Sequence, residues 1–391
     1  MPDFTLTAEQ RSIQEKAREF ATTEIAPVAL AIDRDHGEFP WSVVERGIAA
    51  GWTTMLIPKR YGGGGYDQLA GGLVLEELGA ACAGFATVFG ASNLGVAPLV
   101  LQGSEEHKQR ALAKICEGGR RLAAFAVTEA GAGSAAASGD PQRGPQLRAR
   151  RDGDSYVLNG SKRFISNGSV ASLITVLART HPTKGSIGGL SFFAVEAPRD
   201  GLSVGKIESK MGQRASHTAE LIFEDVRVGV ADLIGREGIG SMTMLQTISC
   251  STALAAAVCV GIGRAATQAA VRFGRDHRLL EDQGFALRVA DMATSVEAAR
   301  ALTWRALWEN DQRLDHDTGR LQRAPSLKLS TMAKVFASDA CVRAATEAID
   351  IVGPEACVES HPLQKIFRDA KLMQIYEGTN QVHRIGMARL L

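Results

Sequence analysis

The hydrophobic pattern of this 391-residue chain changes period twice, so its fold must house strands between two sets of helices. From Thr7, which forms a capping-box pattern with Gln10, apolar Ile13, Ala17, Phe20 and Val28 recur at helical spacing. Helical patterns dominate to about residue 120. Between about 123 and 230 the apolar residues gather into β-branched and aromatic runs, Leu190 to Val195 and Leu221 to Val228. Asp152-Gly153 and Asn159-Gly160 predict hairpin turns bracketing Ser155 to Leu158. Helical spacing resumes from about 235, where Val335, Val342, Ala345, Ile349 and Val352 mark one buried face that stops at Gly353-Pro354. The expectation is a mainly α protein with a central β domain: helices over 1–122, strands over 123–232, helices over 233–391.

Charge and composition narrow the function classes. Lys plus Arg number 44 against 43 Asp plus Glu, which leaves no excess to draw the chain to nucleic acid or an anionic membrane. The longest apolar run, Ala253 to Gly263, is far shorter than the roughly 20 residues that span a bilayer. No targeting pattern is recognisable near Asp3 and Glu9, so a cytoplasmic location is expected. Six cysteines lack any Cys-x-x-Cys pair and read as buried small apolar residues in a reducing compartment. The eight histidines are dispersed, and no metal site is expected. Tyr61-Gly62-Gly63-Gly64-Gly65 lacks the Lys-Ser/Thr ending of a phosphate-binding loop and reads as a connection.

Chemistry is concentrated near the C-terminus, in Ile375-Tyr376-Glu377-Gly378-Thr379-Asn380-Gln381, preceded by Phe367-Arg368-Asp369-Ala370-Lys371. This segment resembles the C-terminal signature of the acyl-CoA dehydrogenase family. Three earlier segments resemble the family in the same order: Val127-Thr128-Glu129-Ala130-Gly131-Ala132-Gly133-Ser134, Asn159 to Gly168, and Lys210-Met211-Gly212-Gln213-Arg214-Ala215-Ser216. The resemblance covers nearly the whole chain. It implies an N-terminal helical domain, a central β-barrel-like domain and a C-terminal four-helix bundle. It also implies bound FAD, an acyl-CoA or acyl-carrier-protein thioester as substrate, an electron-transfer flavoprotein as acceptor, and a homodimer or homotetramer.

The α-proton of a thioester is weakly acidic, so its removal needs a base whose pKa is raised by desolvation, and the β-hydride needs an acceptor that no side chain provides. The resemblance assigns the base to Glu377. It places Val127, Thr128, Gly133 and Ser134 along the flavin ring and substrate entrance, Phe164 and Ser166 on the isoalloxazine, and Thr379 and Gln381 at the FAD diphosphate and adenosine. Ser134, Ser251, Thr252 and Gly378 fall on the substrate side. Singly, each has an ordinary reading: a strand residue, a core aromatic, a turn hydroxyl.

Departures from the family pattern matter too. The usual Arg-x-x-Phe-Gly, which reaches the FAD of a neighbouring subunit, is shortened here within Arg275 to Gln283, where Arg275 or Arg278 is the candidate contact. Asp350 and Gly353-Pro354 replace a Gln and a Gly-Gly pair near the same cofactor. An Asp-x-x-Arg pair that touches the pantetheine arm is replaced by Ser249-Cys250-Ser251-Thr252, and Ala135 replaces an Asp. The acyl pocket is expected along Phe85, Phe89, Ser92, Asn93 and Leu94; Phe89 is weighed as a pocket wall against plain core. No Arg or Lys lies between Leu73 and Gln102, which favours a short, branched or cyclic acyl group over a dicarboxylate. Three readings stand: an acyl-CoA dehydrogenase, a flavoenzyme acting on a carrier-tethered acyl group, and a non-catalytic partner in a mixed oligomer.

Overall fold

A computed structural model describes residues 5–35, 37–132 and 139–391. The capping box at Thr7 forms: its hydroxyl accepts from the Gln10 amide at 3.1 Å and the Gln10 side chain accepts from the Thr7 amide at 3.0 Å. Among the described residues, six α-helices precede the sheet: α1 (Ala8–Phe20), α2 (Ala26–Asp35), α3 (Trp41–Ala49), α4 (Gln68–Ala81), α5 (Ala83–Gln102) and α6 (Glu105–Cys116). The strands are β1 (Ala123–Ala126), β2 (Arg148–Asp152), β3 (Ser155–Ser166), β4 (Leu173–Arg179), β5 (Leu190–Glu196), β6 (Leu202–Ile207), β7 (Thr218–Gly229) and β8 (Leu233–Ile234), with the one-turn α7 (Ser186–Gly189) before β5. They lie in the order β6-β7-β3-β2-β4-β5-β8, and β1 runs parallel to β4. The chain ends in α8 (Gly240–Asp276), α9 (Gln283–Asp311), α10 (Leu327–Val352), α11 (Pro362–Leu372) and α12 (Asn380–Ala388).

One of the two predicted hairpin turns is not a turn. Asp152 and Ser155 close the β2–β3 hairpin around Gly153, at φ +63°. Asn159-Gly160, however, lies inside β3, where the register against β7 slips and Gly160 takes φ +136°. The Asn159 side chain joins Asp225 across the strands, donating to its carboxylate and accepting from its amide, each at 2.9 Å. A bulge in a twelve-residue strand uses the same Asn-Gly chemistry as a turn, so the dipeptide cannot distinguish them.

The helices share one core because small residues let them approach. A Cβ on Gly261 of α8 would meet the Glu76 carbonyl of α4 at 2.2 Å, and one on Gly79 of α4 would meet the Val258 carbonyl of α8 at 3.0 Å. By length and composition α5 and α8 could cross a bilayer, yet most of each is buried in this core. The cysteine reading holds for Cys82, Cys250, Cys259 and Cys341; Cys116 is only half-buried and Cys357 is exposed.

Candidate active site

Glu377 sits in the loop between α11 and α12 with φ +55°, a conformation that a residue bearing a β-carbon rarely adopts. The Ser251 hydroxyl, on α8, donates to its Oε2 at 3.0 Å. By area the residue is half-buried, but protein surrounds the carboxylate, and burial pushes its pKa above the ordinary glutamate value. The Ser251 hydrogen bond and the Lys334 charge pull it back down. Gly378 follows at φ +82°; a Cβ there would lie 2.8 Å from His383 Nε2. Thr379 caps α12, accepting from the Val382 amide at 3.2 Å, and Gln381 is exposed in its first turn. Thr379 and Gln381 line a cleft of about 150 Å³ with Asp339, Gln374, Ile375 and Arg384.

A second group forms where β1 ends beside β3. The Arg163 amide donates to the Thr128 carbonyl at 2.8 Å, which sets Val127 and Thr128 beside Phe164. Phe164 lies in a second β3 bulge, between Lys162 and Ile165, at φ +58°, and its ring is 57% exposed. The bulge turns outward an aromatic that strand alternation alone would not present. Ser166 is half-buried at the strand end. Behind this face the buried Lys162 ammonium holds the Glu129 carboxylate at 2.7 Å and the Val127 carbonyl at 3.1 Å. Glu129 also accepts from the Gln146 and Leu147 amides, at 2.6 and 3.0 Å. Sequence alone gives Glu129 and Lys162 no role; the structure makes them the rear support of the platform. Gly133 and Ser134 lie outside the described residues.

One turn of α5 ties the two groups together. Thr87 Oγ1 lies 3.4 Å from the Tyr376 hydroxyl, next to Glu377, and donates to Gln213 Oε1 at 2.8 Å. The next carbonyl, of Val88, accepts from Asn167 at 2.9 Å, next to Ser166. The segments that carry the exposed aromatic and the carboxylate therefore both contact one turn of α5. An exposed ring with hydroxyls beside it, and a capped helix N-terminus at the cleft, fit a flavin ring and a diphosphate respectively.

Several expected residues are placed elsewhere. Thr252 is fully buried and returns its hydroxyl to the Ile248 carbonyl of its own helix at 2.6 Å, so it presents nothing to a substrate. Ser249 does the same with Leu245 at 2.7 Å. Phe89 is fully buried against Phe20 and directly over Gly47, which makes it core and not a pocket wall. Arg275 is exposed near the far end of α8, about 36 Å along the helix from Ser251 at 1.5 Å per residue, and is not brought to this chain's own site. Asp350 is exposed near the end of α10.

Sequence models of the acyl-CoA dehydrogenase N-terminal, middle and C-terminal domains match residues 7–119, 124–226 and 240–391. Cyclohex-1-ene-1-carbonyl-CoA dehydrogenase of Geobacter metallireducens is 39% identical over 99% of this chain and 98% of its own length. A chain in the solved structure of the electron transferring flavoprotein of Acidaminococcus fermentans superposes with a TM-score of 0.91 at 36% identity, covering 100% of this chain and 99% of that one. An acyl-CoA dehydrogenase complexed with FAD from Bacillus anthracis superposes with a TM-score of 0.90 at 25% identity, over 100% of this chain and 68% of that one. Fold and site together define a flavin-dependent oxidoreductase acting on CH–CH bonds, with FAD as cofactor. The chain belongs to the acyl-CoA dehydrogenase family.

Proposed function

We propose that this enzyme removes the α-proton of its acyl-CoA substrate with Glu377. The observation that carries the assignment is the Glu377 carboxylate, surrounded by protein, raised in pKa and held on one oxygen by Ser251. A desolvated carboxylate is a stronger base than a solvated one, as a weak carbon acid requires. The backbone N–H of Glu377 is assigned to the thioester oxygen, where negative charge gathers as the proton leaves. FAD, when bound, supplies the acceptor for the β-hydride.

Phe164, Ser166, Val127 and Thr128 are assigned to the flavin ring, and Thr379 and Gln381 to its diphosphate and adenosine. Arg275, remote from its own site, is assigned to the FAD of a second copy, which makes a homodimer or homotetramer part of this reading. The relative from Geobacter acts, by its name, on a cyclic acyl-CoA, and no cation lies between Leu73 and Gln102. Both favour a short or cyclic acyl group without a terminal carboxylate. The likeness to a chain in an electron transferring flavoprotein structure supports such a flavoprotein as electron acceptor. The uncharged turn Ser249–Thr252, where the family carries an Asp and an Arg, favours a second reading in which a carrier protein presents the acyl group.

Anaerobic addition of short, branched and cyclic acyl-CoA esters to the FAD-loaded protein tests the substrate class. Bleaching by one ester identifies it; a spectrum indifferent to every ester favours the carrier-bound reading. Glu377→Gln should keep the flavin and lose at least about three orders of magnitude in rate. Near-normal turnover in that variant overturns the base assignment.

A further inference from the structure

Two buried side chains from different helices hold the peptide units that follow Glu377 and Gly378. Lys334 of α10, with no exposed surface, donates from Nζ to the Gly378 carbonyl at 2.7 Å and to Asn380 Oδ1 at 3.0 Å. His383 of α12, 7% exposed, places Nε2 2.7 Å from the Glu377 carbonyl. Asn380 anchors the arrangement, donating to Ser338 at 2.8 Å and Asp339 at 2.9 Å, while its amide donates to the Gln374 carbonyl at 3.0 Å. Successive carbonyls, of Glu377 and Gly378, are thus each fixed by a buried nitrogen, and both residues have positive φ.

A left-handed conformation at a non-glycine residue is strained and persists only where its surroundings over-determine it. Gly378 adopts such a conformation freely, whereas Glu377 does not. The strain falls on the residue whose side chain does the chemistry. We propose that Lys334 and His383 are positioning residues that clamp the Glu377–Gly378 backbone in its left-handed path and so aim the Glu377 carboxylate at the substrate α-carbon. This rests on the assignment of Glu377 as the base.

Lys334 has a second, electrostatic effect. Its charge holds the Glu377 pKa below what burial alone would set, while burial lowers its own. The groups around Glu377 are Ser251 on α8, Lys334 on α10, His383 on α12 and the adjacent Tyr376; Cys259 and Cys341, and Asp339, act on Lys334 from α8 and α10.

The test uses FAD-loaded holoenzyme, the ester that bleaches the wild type, and kcat and KM measured across pH. Lys334→Met keeps the chain volume and removes the donor and charge. It should lower kcat by roughly 10- to 100-fold through misplacement of the base, leave KM and the flavin spectrum little changed, and move the acid limb of kcat/KM to higher pH. His383→Leu should lower kcat similarly, whereas His383→Gln, which keeps an N–H donor, should restore most of it. A purely structural role would lower thermal stability in all three variants and leave kcat and the acid limb of the folded fraction at wild-type values; that result overturns the clamp. If Lys334→Met does not fold, the His383 pair decides, and equal rates for Leu and Gln overturn it. Full activity in Glu377→Gln sinks the base assignment itself; an inactive Glu377→Gln beside fully active clamp variants sinks only the clamp.

Discussion

Glu377 stands out in the sequence as the candidate base because its neighbours carry the signal: Gly378, Thr379 and the Arg368-Asp369 segment stand at family spacing. Lys334 and His383 do not, because a lysine or histidine on a helix reads as a solvated side chain until tertiary packing buries it. Phe164 and Phe89 show the same limit in opposite directions: one aromatic is turned outward by a bulge, the other is sealed over Gly47. The residue scale also yields a pH prediction at Ser251. Its hydroxyl favours the ionised form of Glu377, so Ser251→Ala should raise the carboxylate pKa further. Only the ionised base can take a proton, so the acid limb of kcat/KM should move to higher pH. On the acid limb itself the loss should be about tenfold or more, since a hydrogen bond to a charged group contributes roughly 1.5–3 kcal/mol. The alkaline plateau should survive, because the carboxylate that remains is a stronger base. Superimposable pH profiles for Ser251→Ala and wild type would show that the hydroxyl does not act on the base.

Element boundaries followed from periodicity where a single face is buried, as in α10, which ends at the glycine read as its stop. They failed where two structures share one local chemistry, as at Asn159-Gly160 in β3. What no periodicity contains is how one helix end caps another. At the N-terminus of α4, Asp67 accepts from the Ala70 amide at 2.6 Å, and Asp311, from the end of α9, accepts from the Gln68 and Leu69 amides at 2.6 and 3.1 Å. Burial, with Asp67 nearby, pushes the Asp311 pKa up to about 8. The folded state therefore retains a proton that the unfolded chain, with an ordinary aspartate pKa of about 3.9, has already released. Stability contributed by this group is present below pH 4 and declines as pH rises towards 8, with a slope of at most about 1.4 kcal/mol per pH unit. Asp311→Asn, which does not ionise, should flatten that decline in urea midpoints measured from pH 5 to 9. Parallel midpoint curves for the two proteins would mean that Asp311 carries no such proton.

At the scale of the whole molecule, the order helical, β, helical was legible because the two periods cannot be confused over such lengths. How the three parts are fastened was not, because the fastening joins residues far apart in sequence. The third motif is the clearest case. Gly212 lies against the Arg368 backbone so closely that a Cβ would meet it at 2.5 Å, and the Gln213 amide donates to Asp369 at 2.5 Å. Arg368 of α11 donates to the Met211 carbonyl at 2.5 Å and pairs with Asp33 of α2 at 2.5 Å, while Arg214 reaches the Asp33 carbonyl at 3.1 Å. The β domain, the C-terminal helices and the N-terminal helices meet at this one ion pair. Asp33 is 1% exposed, and a buried carboxylate left without its partner costs about 3–5 kcal/mol, more than the pair contributes relative to apolar residues of similar size. Arg368→Leu should therefore lower the thermal midpoint sharply and broaden the transition as the three parts lose their common anchor. Adding Asp33→Asn removes the stranded charge, so the double variant should melt well above Arg368→Leu alone. Losses that simply add would show that Asp33 and Arg368 act independently, and would remove the ion pair as the joint of the molecule.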